Sequence, residues 1–246
     1  MFRRLCSWLF WSLLAVVGLA VVVLVGLYFA VEHEPQFYRE QAAVDPVERQ
    51  RASDELLAKT AAATSTARRE GEWSIELTDE QINGWLAVTL PQQEQFHLPE
   101  LIREPRVQFQ AGRIIIASRV VERGVEAVLS LECEPTLVEP NELVLRVRSF
   151  KCGAVPLPTQ RLLDLIGDQI NDAGAPVKWS QQEGDPVARV ALPAFTIDGG
   201  RAFRIEAIEL KPGSIRLSAQ ATDDAAAQVW KAFQPAENAA DPNSGA

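Results

Sequence analysis

Two histidines, three cysteines and one methionine are all the imidazole and sulfur chemistry that the 246 residues carry. A serine or cysteine nucleophile needs a histidine within hydrogen-bond reach. His33 follows directly on a long apolar run, which leaves His97, in Gln95-Phe96-His97-Leu98-Pro99, as the one general-base candidate further along. No G-x-S-x-G elbow, phosphate-binding glycine loop or Cys/His cluster at metal-ligand spacing accompanies it. Glu132 and Glu134 alternate along a strand pattern, so both fall on one polar face, where solvated charge is the ordinary outcome. Asp198-Gly199-Gly200 reads as a turn. The expectation is a protein that is not an enzyme and uses no cofactor and no metal.

What the chain has in quantity is apolar surface at regular spacing. Ile114, Ile116, Leu129, Leu131, Leu162, Ile166, Ile215 and Leu217 are the candidate lining of an apolar groove, formed where greasy strand faces meet one helix. Each methylene of a bound acyl chain would contribute about 0.8 kcal/mol there. The same residues can equally pack dry, because period-two Ile, Leu and Val are what any core requires. Asn83 is the candidate polar contact, either facing a ligand or bonded to a loop backbone.

The elements that must position these residues begin with an anchor. From Leu5 to Val31 no side chain is charged, a run long enough to cross a bilayer core of roughly 30 Å. Trp8, Trp11 and Tyr28 stand near its ends as interface anchors. The run exceeds a signal-peptide core, and Tyr28 sits at the minus-three position of a cleavage site after Ala30, where a small residue is wanted, so a retained signal anchor is expected. Arg3 and Arg4 precede the span and Glu32 and Glu34 follow it, which places the N-terminus in the cytoplasm and the bulk of the chain outside the plasma (inner) membrane. The net charge of −9 and a pI near 4.9 argue against nucleic acid as a partner.

Beyond the span the chain divides into a tether and spacer helix (32–71), an extracytoplasmic α+β domain (72–221) and a terminal helix with a polar tail (222–246), after a cytoplasmic stub (1–4) and the anchor (5–31). Asp45-Pro46-Val47-Glu48 supplies an N-cap, a first-turn proline and a capping acid for a helix running to Gly71. Thr78-Asp79-Glu80-Gln81 is a second capping box. From Arg106 the pattern has period two, with turns at Ala111-Gly112, Arg123-Gly124 and Pro140-Asn141, which predicts a four-stranded antiparallel meander. Leu162, Leu163, Leu165, Ile166 and Ile170 mark a helix over 160–171 that would cover it. A shift of 101 positions lays Val107, Phe109, Gly112, Ile114 and Ile116 over Ile208, Leu210, Gly213, Ile215 and Leu217, as though one hairpin occurs twice. Phe203 and Ile205 have the opposite parity to Ile208 and Leu210, which predicts a bulge near Glu206-Ala207. The odd faces of 127–137 and 143–147 must match, which sets Cys133 and Cys152 on opposite faces unless a bulge intervenes.

The N-terminal span, Leu77-Thr78-Asp79-Glu80-Gln81-Ile82-Asn83 and Gly153-Ala154-Val155-Pro156-Leu157-Pro158 together resemble the YpmS-like family of membrane-anchored bacterial proteins, over roughly residues 5 to 170. The resemblance implies a single-pass anchor and an extracytoplasmic α+β domain, and carries no catalytic residue. The arrangement also looks like tubular lipid-binding domains at the level of fold. The expected fold is α+β: one transmembrane helix, then antiparallel hairpins packed on one or two amphipathic helices. The expected function is non-enzymatic, with the lipid bilayer and a lipid or other apolar envelope molecule as partners; the alternative is an envelope scaffold or regulatory subunit acting on another envelope protein.

Overall fold

The computed structural model describes residues 26, 29–93, 102–122, 125–158, 177–182, 184–192, 195–196 and 202–222. Its helices are α1 (Gln36–Ala42), α2 (Pro46–Glu70) and α3 (Asp79–Val88). Its strands are β1 (Glu72–Thr78), β2 (Ile102–Gln110), β3 (Arg113–Glu122), β4 (Val125–Glu139), β5 (Glu142–Cys152), β6 (Val155–Pro156), β7 (Val177–Gln182), β8 (Asp185–Ala191), β9 (Phe195–Thr196), β10 (Ala202–Lys211) and β11 (Ser214–Thr222). The anchor apart from residues 26 and 29–31, His97, the 160–171 helix and the terminal helix lie outside the described residues. Among those described, no helix is long and apolar enough to cross a membrane.

The capping chemistry sets the helix boundaries. Asp45 accepts a hydrogen bond from the Val47 N–H at 2.8 Å, and Pro46 occupies the first turn. Gly71 ends α2 in the left-handed region at φ 74°, its N–H on the Ala67 carbonyl. At α3 the capping box is complete: the Gln81 N–H donates to the Thr78 hydroxyl, and the Thr78 N–H to the Gln81 side chain. The two helices cross at Gly84, where an added Cβ would stand 2.7 Å from the Arg49 carbonyl oxygen and 2.8 Å from the Ala52 Cβ. Only a residue without a side chain permits that approach.

Among the described residues all pairings are antiparallel and form two sheets, in an α+β arrangement. One is four-stranded, in the order β1-β11-β10-β9; the other has seven strands, in the order β2-β3-β4-β5-β8-β7 with β6 on β5. The second contains the expected meander, with its turns at Ala111-Gly112 and Pro140-Asn141. Pairing of β1 with the C-terminal strand β11 brings Ile75 opposite Leu217 and Leu77 opposite Ile215, and α2 lies on this sheet with Ala67 beside Phe203, Ala219 and Trp73.

The repeated hairpin is present in the backbone. Phe109 pairs Ile114 and Val107 pairs Ile116 in β2–β3, as Leu210 pairs Ile215 and Ile208 pairs Leu217 in β10–β11. Gly112 and Gly213 hold the equivalent turn positions at φ 70° and 78°. The two turns then meet reciprocally: the Gly213 N–H donates to the Phe109 carbonyl at 3.0 Å and the Gly112 N–H to the Leu210 carbonyl at 3.5 Å. These contacts are equivalent under the 101-residue shift, so the hairpins are related by a local pseudo-two-fold, and each uses the other to satisfy turn groups. The β10 register shifts between Ile205 and Ala207, the bulge that the parity change requires.

Candidate functional site

Register decides which apolar residues share a face. In β3, β4 and β5, Ile114 lies opposite Cys133, Ile116 opposite Leu131, and Leu131 in turn opposite Phe150. Leu129 lies opposite Cys152, and Cys133 opposite Val147. Directly opposed residues point to one side of an antiparallel sheet, so one apolar face runs from Phe109 through Ile114, Ile116 and Leu131 to Phe150. Val147 and Phe150 are buried there, with Leu129, Leu131, Leu157 and Trp179 packed around them. Ile116 is 40% exposed, the open part of this face.

Of the eight groove candidates, the fold therefore brings Ile114, Ile116, Leu129 and Leu131 together. Ile215 and Leu217 belong to the other sheet, on the face they share with Ile75 and Leu77. Leu162 and Ile166, like Trp8, Trp11 and Tyr28, fall outside the described residues.

A bulge intervenes between the cysteines. Glu132 pairs Ser149 while Cys133 pairs Val147, which leaves Arg148 as the extra residue and reverses the parity of everything after it. Cys133 and Cys152 consequently share a face. They are still free thiols, because Cys152 is opposite Leu129, four residues from Cys133 and about 13 Å along the strand, twice the reach of a disulfide. Burial, with Glu132 adding to it, pushes the Cys133 thiol up to about 11.

The opposite face is polar at one end and covered at the other. Arg113 meets Glu132 at 2.6 Å and Glu134 at 3.8 Å, Arg148 meets Glu134 at 2.7 Å and Asp185 at 2.8 Å, and Arg146 meets Asp185 at 2.9 Å. The Arg148 hydrogen bond holds the Glu134 carboxyl below its usual range, and Arg146 does the same for Asp185. A general acid needs the reverse shift.

At the covered end, residues 32–44 are drawn onto the sheet, where composition alone reads as a polar tether. Tyr38 is fully buried against Ala117 and Val128, with Phe37 edge-on to its ring. Its hydroxyl donates to the Glu104 carbonyl at 3.0 Å. The Arg119 guanidinium stacks over the same ring at 5.8 Å and reaches Glu34 at 2.8 Å. Just before this segment, the Ala154 N–H donates to the Ala30 carbonyl at 2.7 Å, and Gly153, at φ 58°, leaves room where a Cβ would meet the Val31 and Ala30 oxygens at 2.3 and 2.4 Å. The Ala154 N–H thus caps the Ala30 carbonyl at the end of the helical residues 29–31, while the Gly153 N–H donates to the Val128 carbonyl.

Asn83 is nine-tenths buried and acts as a strand partner. Its Nδ2 donates to the Val107 carbonyl and its Oδ1 accepts from the Val107 N–H, both at 2.8 Å, which satisfies the outer edge of β2. Asn141, which sequence reasoning missed as more than a turn residue, does the same for β10. Held at φ 64°, it accepts from the Ile205 N–H at 2.7 Å and donates its own N–H to the Ile205 carbonyl. Among the described residues no three His, Cys, Asp or Glu side chains converge as metal ligands would. No protein-family model, curated protein or solved structure matches this chain.

Proposed function

We propose that the protein is a single-pass membrane protein whose extracytoplasmic domain, without enzymatic activity, receives an acyl chain or other apolar envelope molecule on the open face of the seven-stranded sheet. The observation that carries the reading is the course of that face. It begins at Leu129 and Cys152, beside the Gly153-Ala154 turn that grips residues 30–31, and leads away past Leu131 and Ile116. If 5–31 is the anchor, an apolar strip starts where the chain leaves the bilayer, so a lipid tail would pass from one apolar medium to another with little exposure to water. The resemblance to the YpmS-like family and to tubular lipid-binding domains accords with this reading.

The test uses the full-length protein in detergent with a fluorescent fatty-acid probe. Saturable uptake is expected, and Ile116→Asp, which places a charge on the open part of the face, should weaken it at least tenfold with the fold intact by circular dichroism. Absence of uptake, or equal uptake by the variant, overturns the proposal.

One observation favours the scaffold reading as second. The outer side of α2 exposes Val47 and Leu57, and a shallow groove there runs along Pro46, Val47, Gln50, Asp54 and Ala58. Cross-linking in intact membranes that recovers only the monomer would count against it.

A further inference from the structure

We propose that a small oxyanion of the phosphate class binds between Arg49 and Arg106, in the cavity where α1, α2, α3 and β2 meet. The cavity is about 150 Å³, and Gln41, Glu48, Arg49, Glu80, Asn83 and Arg106 line it. At roughly 30 Å³ of liquid volume per water it accommodates one tetrahedral ion with a few waters, and it is too small for a nucleotide.

Two observations point to an anion. Arg106 is only 4% exposed, donates to the Pro105 carbonyl at 2.9 Å, and has no carboxylate within ion-pair distance among the described residues. Arg49 spends one donor on the Ala42 carbonyl, while its buried Nε has no acceptor among the described residues. Buried guanidinium groups are ordinarily paired, since an uncompensated one costs several kcal/mol. Burial is the main influence drawing Arg106 below the usual guanidinium range; Tyr38 opposes it, Arg49 adds like-charge repulsion, and Glu104 offsets part of that. The other polar groups do not supply the missing acceptor. Asn83 uses both ends of its amide on Val107, and Glu48 and Glu80 are exposed and make no ion pair with either arginine. The close approach at Gly84 fixes the Arg49 backbone, and both arginines line the one void. An oxyanion with several acceptor oxygens bridges such forks as no single carbonyl does.

Thermal unfolding of the full-length protein tests this in nanodiscs of phosphatidylcholine, with inorganic phosphate titrated against chloride at constant ionic strength. A saturable rise in Tm specific to phosphate is expected, about 3–6 °C at ten times Kd, absent in Arg49→Gln and retained at least in part by Arg49→Lys. Nanodiscs containing phosphatidic acid distinguish the source. A rise that needs the lipid, and that Arg49→Gln also removes, assigns the oxyanion to a headgroup. Arg49 is partly exposed, so its variants keep the test independent of whether Arg106→Gln folds. No phosphate- or headgroup-specific rise, an equal rise in Arg49→Gln, or an experimental structure with Glu48 or Glu80 swung in to pair the arginines overturns the proposal.

Discussion

Asn83 and Asn141 show how much a single amide can hold. Each makes a two-point contact with the backbone of one strand residue, Val107 or Ile205, and each is buried. Truncating Asn83 to Ala leaves a donor and an acceptor on Val107 without partners, so unfolding in urea should show a loss of about 2–4 kcal/mol. A loss under 1 kcal/mol would mean that water replaces the amide at no cost. For Asn141 the backbone matters as well: Gly keeps the left-handed turn but loses the acceptor, so Asn141→Gly should be less damaging than Asn141→Ala. The cysteines give a second check at this scale. Cys133, buried and pushed up to about 11, should resist iodoacetamide at pH 8 in the native protein, and both Cys133 and Cys152 should label once it is denatured without reductant. A Cys133–Cys152 disulfide in the peptide map would refute the register of β4 on β5. Neither asparagine's partner was legible in the sequence, because Val107 and Ile205 are 24 and 64 residues away and chain pattern carries no information on which edge an amide will meet.

At the scale of elements, local chemistry set the boundaries and long-range packing set the partners. The caps at Asp45 and Thr78, the glycine stop at Gly71 and the hairpin turns at Gly112 and Gly213 all stand where side-chain chemistry requires them. The docking of α1 is different in kind. Its two aromatics, Phe37 and Tyr38, sit in an otherwise polar stretch, and only the tertiary fold supplies Ala117, Val128 and Arg119 to receive them. The Arg148 bulge did leave a mark in the sequence, since the apolar positions of β5 change from odd (Leu143, Leu145, Val147) to even (Phe150, Cys152), but only the pairing with β4 shows which residue is the extra one. Gly84→Ala should force α2 and α3 apart at a cost of about 1–3 kcal/mol, read as a lower urea midpoint with unchanged slope. Gly153→Ala meets both strain at φ 58° and the carbonyls of Ala30 and Val31, so it should release residues 30–31, seen as faster hydrogen exchange at the Ala154 amide. The arginine ladder makes a pH prediction. Glu134 and Asp185 titrate below their ordinary values of 4.5 and 3.8 in the folded state, so their contribution is present above those values and is lost as the pH falls through the lowered ones. Arg148→Met should flatten the acid limb of the stability curve below about pH 4.5, and an unchanged limb would show that the ladder is fully screened.

For the whole molecule, two hairpins of one pattern face each other across a pseudo-two-fold, one in each sheet, and β4 to β8 complete the larger sheet. The α+β class and the meander followed from period-two patterning, whereas the pairing of β1 with β11 and of β5 with β8 did not, because nothing in a strand's own sequence names a partner distant in the chain. That division also parts the groove candidates, leaving Ile114, Ile116, Leu129 and Leu131 on the face proposed for an apolar ligand. Photo-crosslinking measures that proposal most directly: full-length protein in native membranes is irradiated with a phospholipid carrying a diazirine in its acyl chain, and the adducts are mapped by peptide mass spectrometry. Adducts within 114–119 and 129–133, in addition to the apolar run at 5–31, are the predicted result. Adducts confined to 5–31 would contradict it.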